Sequence, residues 1–254
     1  KLAPATDSKP ARWRPATRSD DTAGGVLRSP QQRQARQFHE LQRHVQGLLR
    51  LSSKVRDKVW HADTSSVEAW RKTADRLRHT VHEELIGRIP SPKLPANPRS
   101  RLLLSTRHYT GYEVVLDVFP DVIAGGILLL PRDLKPGEKR PVVVCQHGLE
   151  GTAMDTISRK PGPYAAYKAF GDELCRRGFI VFAPQNPYRG GDRFRSIQRK
   201  SNPLKRSLYS YIIPQHEQIL DWLATLPQVD PKRIAFYGLS YGGKTAMRVP
   251  PFVR

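Results

Sequence analysis

The feature that most constrains this chain lies near its C-terminal end, in Gly238-Leu239-Ser240-Tyr241-Gly242-Gly243. Before it stand residues 234–237, a short apolar run rich in β-propensity. After it comes a stretch with helical character beginning near Tyr241. A chain that passes from a buried strand into a helix within so few residues must turn sharply. Small residues let that turn pass close to its neighbours. The geometry leaves Ser240 at the carboxyl end of a sheet, with its hydroxyl exposed over a helix amino terminus that favours developing negative charge. As a bare pattern, glycine-x-serine-x-glycine recurs by chance; the strand before and the helix after give it meaning. The reading is that Ser240 is a nucleophile, with Gly238 and Gly242 as support. The bland alternative is a serine in a glycine-rich turn with no chemistry, and a second element weighs against it.

That element is Gln146-His147-Gly148-Leu149-Glu150-Gly151, directly after another short apolar run at residues 141–146. Acyl transfer through a tetrahedral intermediate needs hydrogen-bond donors aimed at its oxyanion. One donor is expected from the backbone N–H of Tyr241, the residue after the nucleophile. The other is expected from the loop after the earlier strand, at Leu149. His147 is read as holding this loop rather than as a general base, and Gly148 as making room in it. The alternative for this loop is a plain strand-to-helix connection.

Residues 1–30 are rich in Pro, Ser, Thr, Asp and Arg without an apolar period, and read as disordered. Residues 31–100 read as a helical hairpin followed by a proline-rich linker. Phe38, Leu41, Val45, Leu48 and Leu49 recur at helical spacing, as do Val67, Trp70, Ala74, Leu77, Val81 and Leu85. Thr64, Ser65 or Ser66 is expected to cap the second helix, with Glu68 in its first turn. The apolar stripe of the pair needs a partner surface, expected to be the domain that follows. Residues 85–100 carry Pro90, Pro92, Pro95 and Pro98 and read as the linker.

Within residues 101–254 the pattern changes to short strands. Residues 112–118 and 122–130 flank Phe119-Pro120-Asp121 and read as an antiparallel hairpin. Residues 141–146, 179–183 and 234–237 read as strands buried on both faces. Helices are expected over residues 164–177, ending at Gly178, and over 208–226, where Pro214 marks the start. Asp230-Pro231-Lys232-Arg233 reads as a turn. A hairpin followed by alternating strand and helix predicts an α/β sheet that becomes mostly parallel and is flanked by helices.

Composition narrows the class. With 38% hydrophobic and 26% charged residues the chain can build a core. No run of about 18 apolar residues is present, so no membrane span is expected. A soluble protein, cytoplasmic or secreted, is anticipated. The net charge is +20, but no basic run is interleaved with stacking aromatics, so no nucleic-acid partner is expected. Cys145 and Cys175 are too few for a disulfide framework or a metal site, and both read as small buried residues. No metal or other cofactor is called for.

From about residue 110 to 249 the chain resembles the α/β-hydrolase superfamily, and within it the dienelactone-hydrolase-like and acetyl-xylan-esterase-like bacterial serine hydrolases. The residues that carry the resemblance are the hairpin, Val142-Val143-Val144-Cys145-Gln146-His147-Gly148, Phe179-Ile180-Val181-Phe182-Ala183-Pro184, and the run from Ile234 through Gly243. The resemblance implies hydrolysis of carboxylic esters, with small-molecule or acylated-carbohydrate esters as substrates, through an acyl-enzyme at Ser240. Ser240-Tyr241-Gly242-Gly243 is equally similar to prolyl-oligopeptidase-type peptidases. Those carry a β-propeller before the hydrolase domain, which 100 residues of helix and linker do not supply. In this fold the order is serine, then acid, then histidine, yet no Asp, Glu or His follows Ser240. The expectation is therefore an incomplete α/β-hydrolase fold with an N-terminal helical extension, truncated after the nucleophile and inactive alone. A non-catalytic remnant is the third reading. His216, on a helix, is expected at the surface, and neither it nor His108 above the nucleophile.

The loop Pro184-Gln185-Asn186-Pro187-Tyr188-Arg189 follows a parallel strand, where such folds place their sites. Tyr188 or Arg189 is expected to touch substrate, with Asp192 anchoring Arg189. Arg193, Arg195, Arg199, Lys200, Lys205 and Arg206 make the next stretch basic: a solvated face by default, or a site for an anionic substrate such as an acidic sugar ester.

Overall fold

The computed structural model describes residues 29–89 and 94–253. The segment expected to be disordered, residues 1–30, falls outside this range except for Ser29 and Pro30. The chain divides into two compact units, residues 1–64 and 65–254. In the first, helix α1 (Pro30–Arg56) starts at Ser29, whose hydroxyl accepts the Gln32 N–H, and at Pro30, which has no N–H to leave unsatisfied. In the second, helix α2 (Val67–Thr80) starts at Ser66, whose hydroxyl accepts the Ala69 N–H at 3.0 Å. Helix α2 runs into a π-helical turn, Val81–Ile86, that ends at Gly87 with a positive φ of 82°. The two helices expected to pair as a hairpin thus lie on either side of the division.

Residues 65–254 are built on one six-stranded sheet in the order β1-β2-β3-β5-β4-β6. The strands are β1 (Arg99–Ser105), β2 (Tyr109–Phe119), β3 (Val122–Pro131), β4 (Arg140–Gln146), β5 (Ile180–Pro184) and β6 (Val229–Gly238). Strands β1 to β3 form an antiparallel meander, and β5 lies antiparallel to β3. Strand β4 pairs parallel with both β5 and β6. The hairpin and strands β4 and β5 thus stand as expected, whereas β6 starts at Val229 and takes in residues 230–233, which were read as a turn. Strand β1 is an addition that begins at the end of the expected linker and runs past it. Its sequence, Arg-Ser-Arg-Leu-Leu-Leu-Ser, has no alternation to read because it is an edge strand, exposed along nearly its whole length.

Strands β4 and β5 are sandwiched. Val142, Ile180 and Phe182 pack with Ile219 and Leu223 of helix α6 (Tyr209–Thr225) on one face. Val143, Cys145, Val181 and Ala183 pack with Cys175 of helix α4 (Phe170–Arg176) on the other. This period of two explains why both strands read as continuous apolar runs. Each Val, Ile, Leu or Phe among them contributes roughly 1.5–3 kcal/mol by leaving water. Cys145 and Cys175 are free and buried; burial pushes both thiols up, Cys175 to about 12.

Three expectations need correction. The helix anticipated over residues 164–177 is two helices, α3 (Pro161–Tyr167) and α4, because Lys168 and Ala169 both adopt left-handed backbone at φ 51° and 49°. Pro214 lies inside α6, not at its start. Strand β6 is not buried on both faces: Ala235 and Tyr237 are exposed. It is the edge of the sheet, and among the described residues nothing pairs with its outer side.

Candidate active site

Strand β6 ends at Gly238, and helix α7 (Tyr241–Arg248) begins three residues later. Ser240 sits between them at φ 57°, ψ −117°. That backbone conformation disfavours any residue with a side chain and costs on the order of 1–3 kcal/mol. What enforces it is close packing. A methyl group on Gly238 would stand 2.2 Å from the Gly242 carbonyl oxygen, and one on Gly242 would stand 2.2 Å from that of Gln146. Strand, turn and helix therefore interlock through bare backbone, and Ser240 is held exposed at the crest of the turn.

Directly opposite is the loop after β4. Its Gly148 lies so close to the elbow that a methyl group there would be 3.5 Å from Ser240 Cβ. Among the described residues, neither the Leu149 nor the Tyr241 N–H donates to a protein acceptor. Two backbone donors, one in the Ser240 turn and one in the loop that faces it, are thus without a protein acceptor. Gly242 N–H donates to the Leu239 carbonyl at 2.8 Å and Lys244 N–H to the Ser240 carbonyl at 3.1 Å, which closes the first turn of α7 around this opening.

His147 is fully buried. Its Nδ1 donates to the Gly148 carbonyl at 2.7 Å, and its Nε2 accepts the Asn186 N–H at 3.2 Å. Burial lowers its pKa against the smaller opposing effect of the Gly148 bond. A neutral ring with both nitrogens engaged is a strut for the loop. Gln185 adds a second strut: its Oε1 accepts the Ala153 N–H at 3.0 Å, and its Nε2 donates to the Tyr188 carbonyl at 3.3 Å.

His216 is not at the surface as expected. It is 3% exposed, stacked on Phe236, with Nδ1 2.9 Å from the Ile212 carbonyl and Nε2 3.0 Å from the Gln146 side-chain amide. Burial drives its pKa down to about 4. A buried imidazole on an otherwise mixed helix face carries no sequence signal, because its partner Gln146 is 70 residues away. Its ring nitrogens are engaged with Ile212 and Gln146, not with Ser240. Among the described residues, no imidazole or carboxylate is hydrogen-bonded to the Ser240 hydroxyl.

Tyr188 is buried, in one cluster with Leu149, Tyr241, Phe194 and Tyr209. Its ring therefore backs the residues that carry the two free amides. Arg189 is exposed and lines a cleft of about 960 Å³ between the β5 loop and strands β2 and β3. Ser240 does not line that cleft. Asp192 pairs with Arg195, not with Arg189, since one turn of helix α5 (Arg193–Ser201) brings Arg195 back over it.

A strand-crest serine with strained backbone, facing a loop with a free amide, is the local geometry of one large group of folds. Residues 129–252 match the dienelactone hydrolase family. The surrounding fold is that of the α/β hydrolases. An acetyl xylan esterase from Thermoanaerobacterium sp. JW/SL YS485 aligns at 14% identity over 71% of this chain and 56% of its own, with a TM-score of 0.50. A Bacteroides fragilis protein provisionally assigned as an acetyl xylan esterase aligns at 21% identity over 76% of this chain and 53% of its own, with a TM-score of 0.62. A methylesterase aligns at 20% identity over 73% of this chain and 40% of its own, with a TM-score of 0.53. The chain thus spans about half the length of these solved structures. The dienelactone hydrolase match begins inside β3 and takes in both the β4 loop and the Ser240 elbow. No described helix is long and apolar enough to cross a membrane. Among the described residues no cluster of His, Cys, Asp or Glu is arranged to hold a metal.

Proposed function

We propose that this protein is a serine hydrolase of carboxylic esters, with acylated carbohydrates as its substrate class. The observation that carries the reading is the strained backbone of Ser240 between two unspent amides. In this mechanism Ser240 Oγ attacks the ester carbonyl and gives up its proton to a base. The tetrahedral oxygen is held by the N–H groups of Tyr241 and Leu149. Collapse expels the alcohol and leaves an acyl group on Ser240, and water then releases the acid. His147 supports the loop and Tyr188 backs it. Arg189, exposed on the β5 loop, is proposed to meet a polar substrate, and its exposed guanidinium is what supports that role. The names of the solved neighbours, one an acetyl xylan esterase, one provisionally assigned as such and one a methylesterase, support the ester over the amide bond.

A serine hydroxyl without a base is a weak nucleophile. Since no described imidazole or carboxylate bonds to Ser240, the 254-residue chain by itself is proposed to turn over slowly or not at all. The same observation favours one second reading, a non-catalytic protein that keeps the fold. Labelling with a fluorophosphonate, together with a panel of p-nitrophenyl esters, acetylated xylan and aminoacyl anilides, separates these readings. Ester turnover by the protein at its natural length, lost in Ser240→Ala, is expected. Cleavage of anilides but not esters would turn the reading to a peptidase. No labelling and no turnover at natural length would support the non-catalytic protein.

A further inference from the structure

The loop after β4 carries two glycines, Gly148 and Gly151, and one side chain from outside the loop touches both. Tyr167, the last residue of α3, places its hydroxyl oxygen 2.9 Å from the Gly148 N–H, which donates to it. A methyl group on Gly148 would stand 3.0 Å from that oxygen, and one on Gly151 would stand 2.4 Å from it. The two glycines thus form a notch filled by a phenol hydroxyl. The same Gly148 methyl position lies 3.5 Å from Ser240 Cβ, so Tyr167 Oη and Ser240 flank a single point. The Tyr167 oxygen accepts one hydrogen bond, yet among the described residues its own proton has no protein acceptor. Its ring is only half-buried, packed beside Phe170, which in turn meets Tyr237 of β6.

We infer that Tyr167 is a catalytic residue, a side-chain hydrogen-bond donor to the oxygen that becomes negative when Ser240 attacks. The inference rests on the esterase reading of Ser240. The Gly148 amide, already spent on Tyr167, cannot serve that oxygen itself. It instead polarises the phenol, and chained hydrogen bonds strengthen one another. Tyr167 keeps its proton throughout: it donates a hydrogen bond, while the Ser240 proton goes to the base and then to the leaving alcohol. Serving the transition state more than the bound ester, the contact should act on kcat and little on KM.

The test uses the protein at its natural length, with p-nitrophenyl acetate as substrate and a trifluoromethyl ketone as transition-state analogue. Tyr167→Phe is expected to lower kcat roughly 10²-fold, the usual effect of losing one such donor. KM should stay within about twofold, analogue affinity should fall with kcat, and the melting temperature should hold. Should Tyr167→Phe fail to fold, Gly151→Ala displaces the same hydroxyl and should give the same split. Unchanged kcat overturns the inference. So does a fall in kcat that comes with raised KM and lowered melting temperature, since that marks a loop clamp only. Turnover that survives Ser240→Ala is a different failure: it overturns the reading of Ser240, and Tyr167 falls with it.

Discussion

Replacing Ser240 by glycine should make the protein more stable while abolishing its chemistry. At φ 57° and ψ −117° the serine occupies backbone space that glycine enters freely. Release of that strain is worth on the order of 1–3 kcal/mol. Against it stands the extra chain entropy that glycine loses on folding, about 0.5–1 kcal/mol. The Ser240 side chain is exposed and makes no side-chain hydrogen bond among the described residues, so its removal costs nothing further. The net gain is between about 0 and 2.5 kcal/mol, centred near 1 kcal/mol. For a unit the size of residues 65–254 the central value raises the melting temperature by roughly 2–4 °C. Ser240→Ala is the necessary control, because alanine keeps the strain and loses the hydroxyl. The assay is thermal and urea unfolding of all three proteins by circular dichroism, with ester turnover measured alongside. A glycine variant that melts at or below the alanine variant would refute the claim that the elbow stores strain.

Other perturbations test the rest of the site. Gly242→Ala would drive a methyl group into the Gln146 carbonyl and should cost at least about 1–3 kcal/mol, whereas Gly162→Ala meets nothing and should be neutral or slightly stabilising in urea melts. The neutral His216 makes stability depend on pH. Its folded pKa of about 4 lies below the unfolded value near 6.5, so the unfolded chain binds the extra proton between them. Stability attributable to His216 should therefore be complete above about pH 6.5 and fall toward pH 4, with a slope approaching 1.4 kcal/mol per pH unit. Unfolding titrations of His216→Gln should show a flatter acid limb. Asp172 is buried, accepts from Tyr109 Oη at 2.6 Å and from Nε of Arg159 and Arg176 at 2.8 Å each. Asp172→Ala should cost about 1–3 kcal/mol, mainly by leaving the buried Tyr109 hydroxyl without its acceptor, since Arg159 and Arg176 are partly exposed, read as a shift in the urea midpoint.

Much of this protein is written locally. The Ser240 turn, the hairpin, the buried strands β4 and β5 and the cap of α2 each follow from residues close together in the chain. Period-two apolar runs, glycine spacing and a serine before a helix are local signals, and local physics produces those elements. Strand β1 was invisible because an exposed edge strand needs no apolar pattern. The break at Lys168 and Ala169 was invisible because neither residue announces a left-handed backbone; Ala169 adopts it with its side chain fully buried.

What the sequence by itself determined is the chemistry on offer: a serine on a forced turn and a loop built to face it. Which groups meet that serine was decided only by the tertiary structure. His216 moved from the expected surface into the core, because Gln146 and Phe236 arrive from distant strands to cover it. Tyr167 reached the elbow, 73 residues ahead of Ser240 in the chain, because sheet order sets β4 beside β6 and α3 against the β4 loop. Contacts of that kind depend on which strands become neighbours, and strand order is a property of the whole packed sheet.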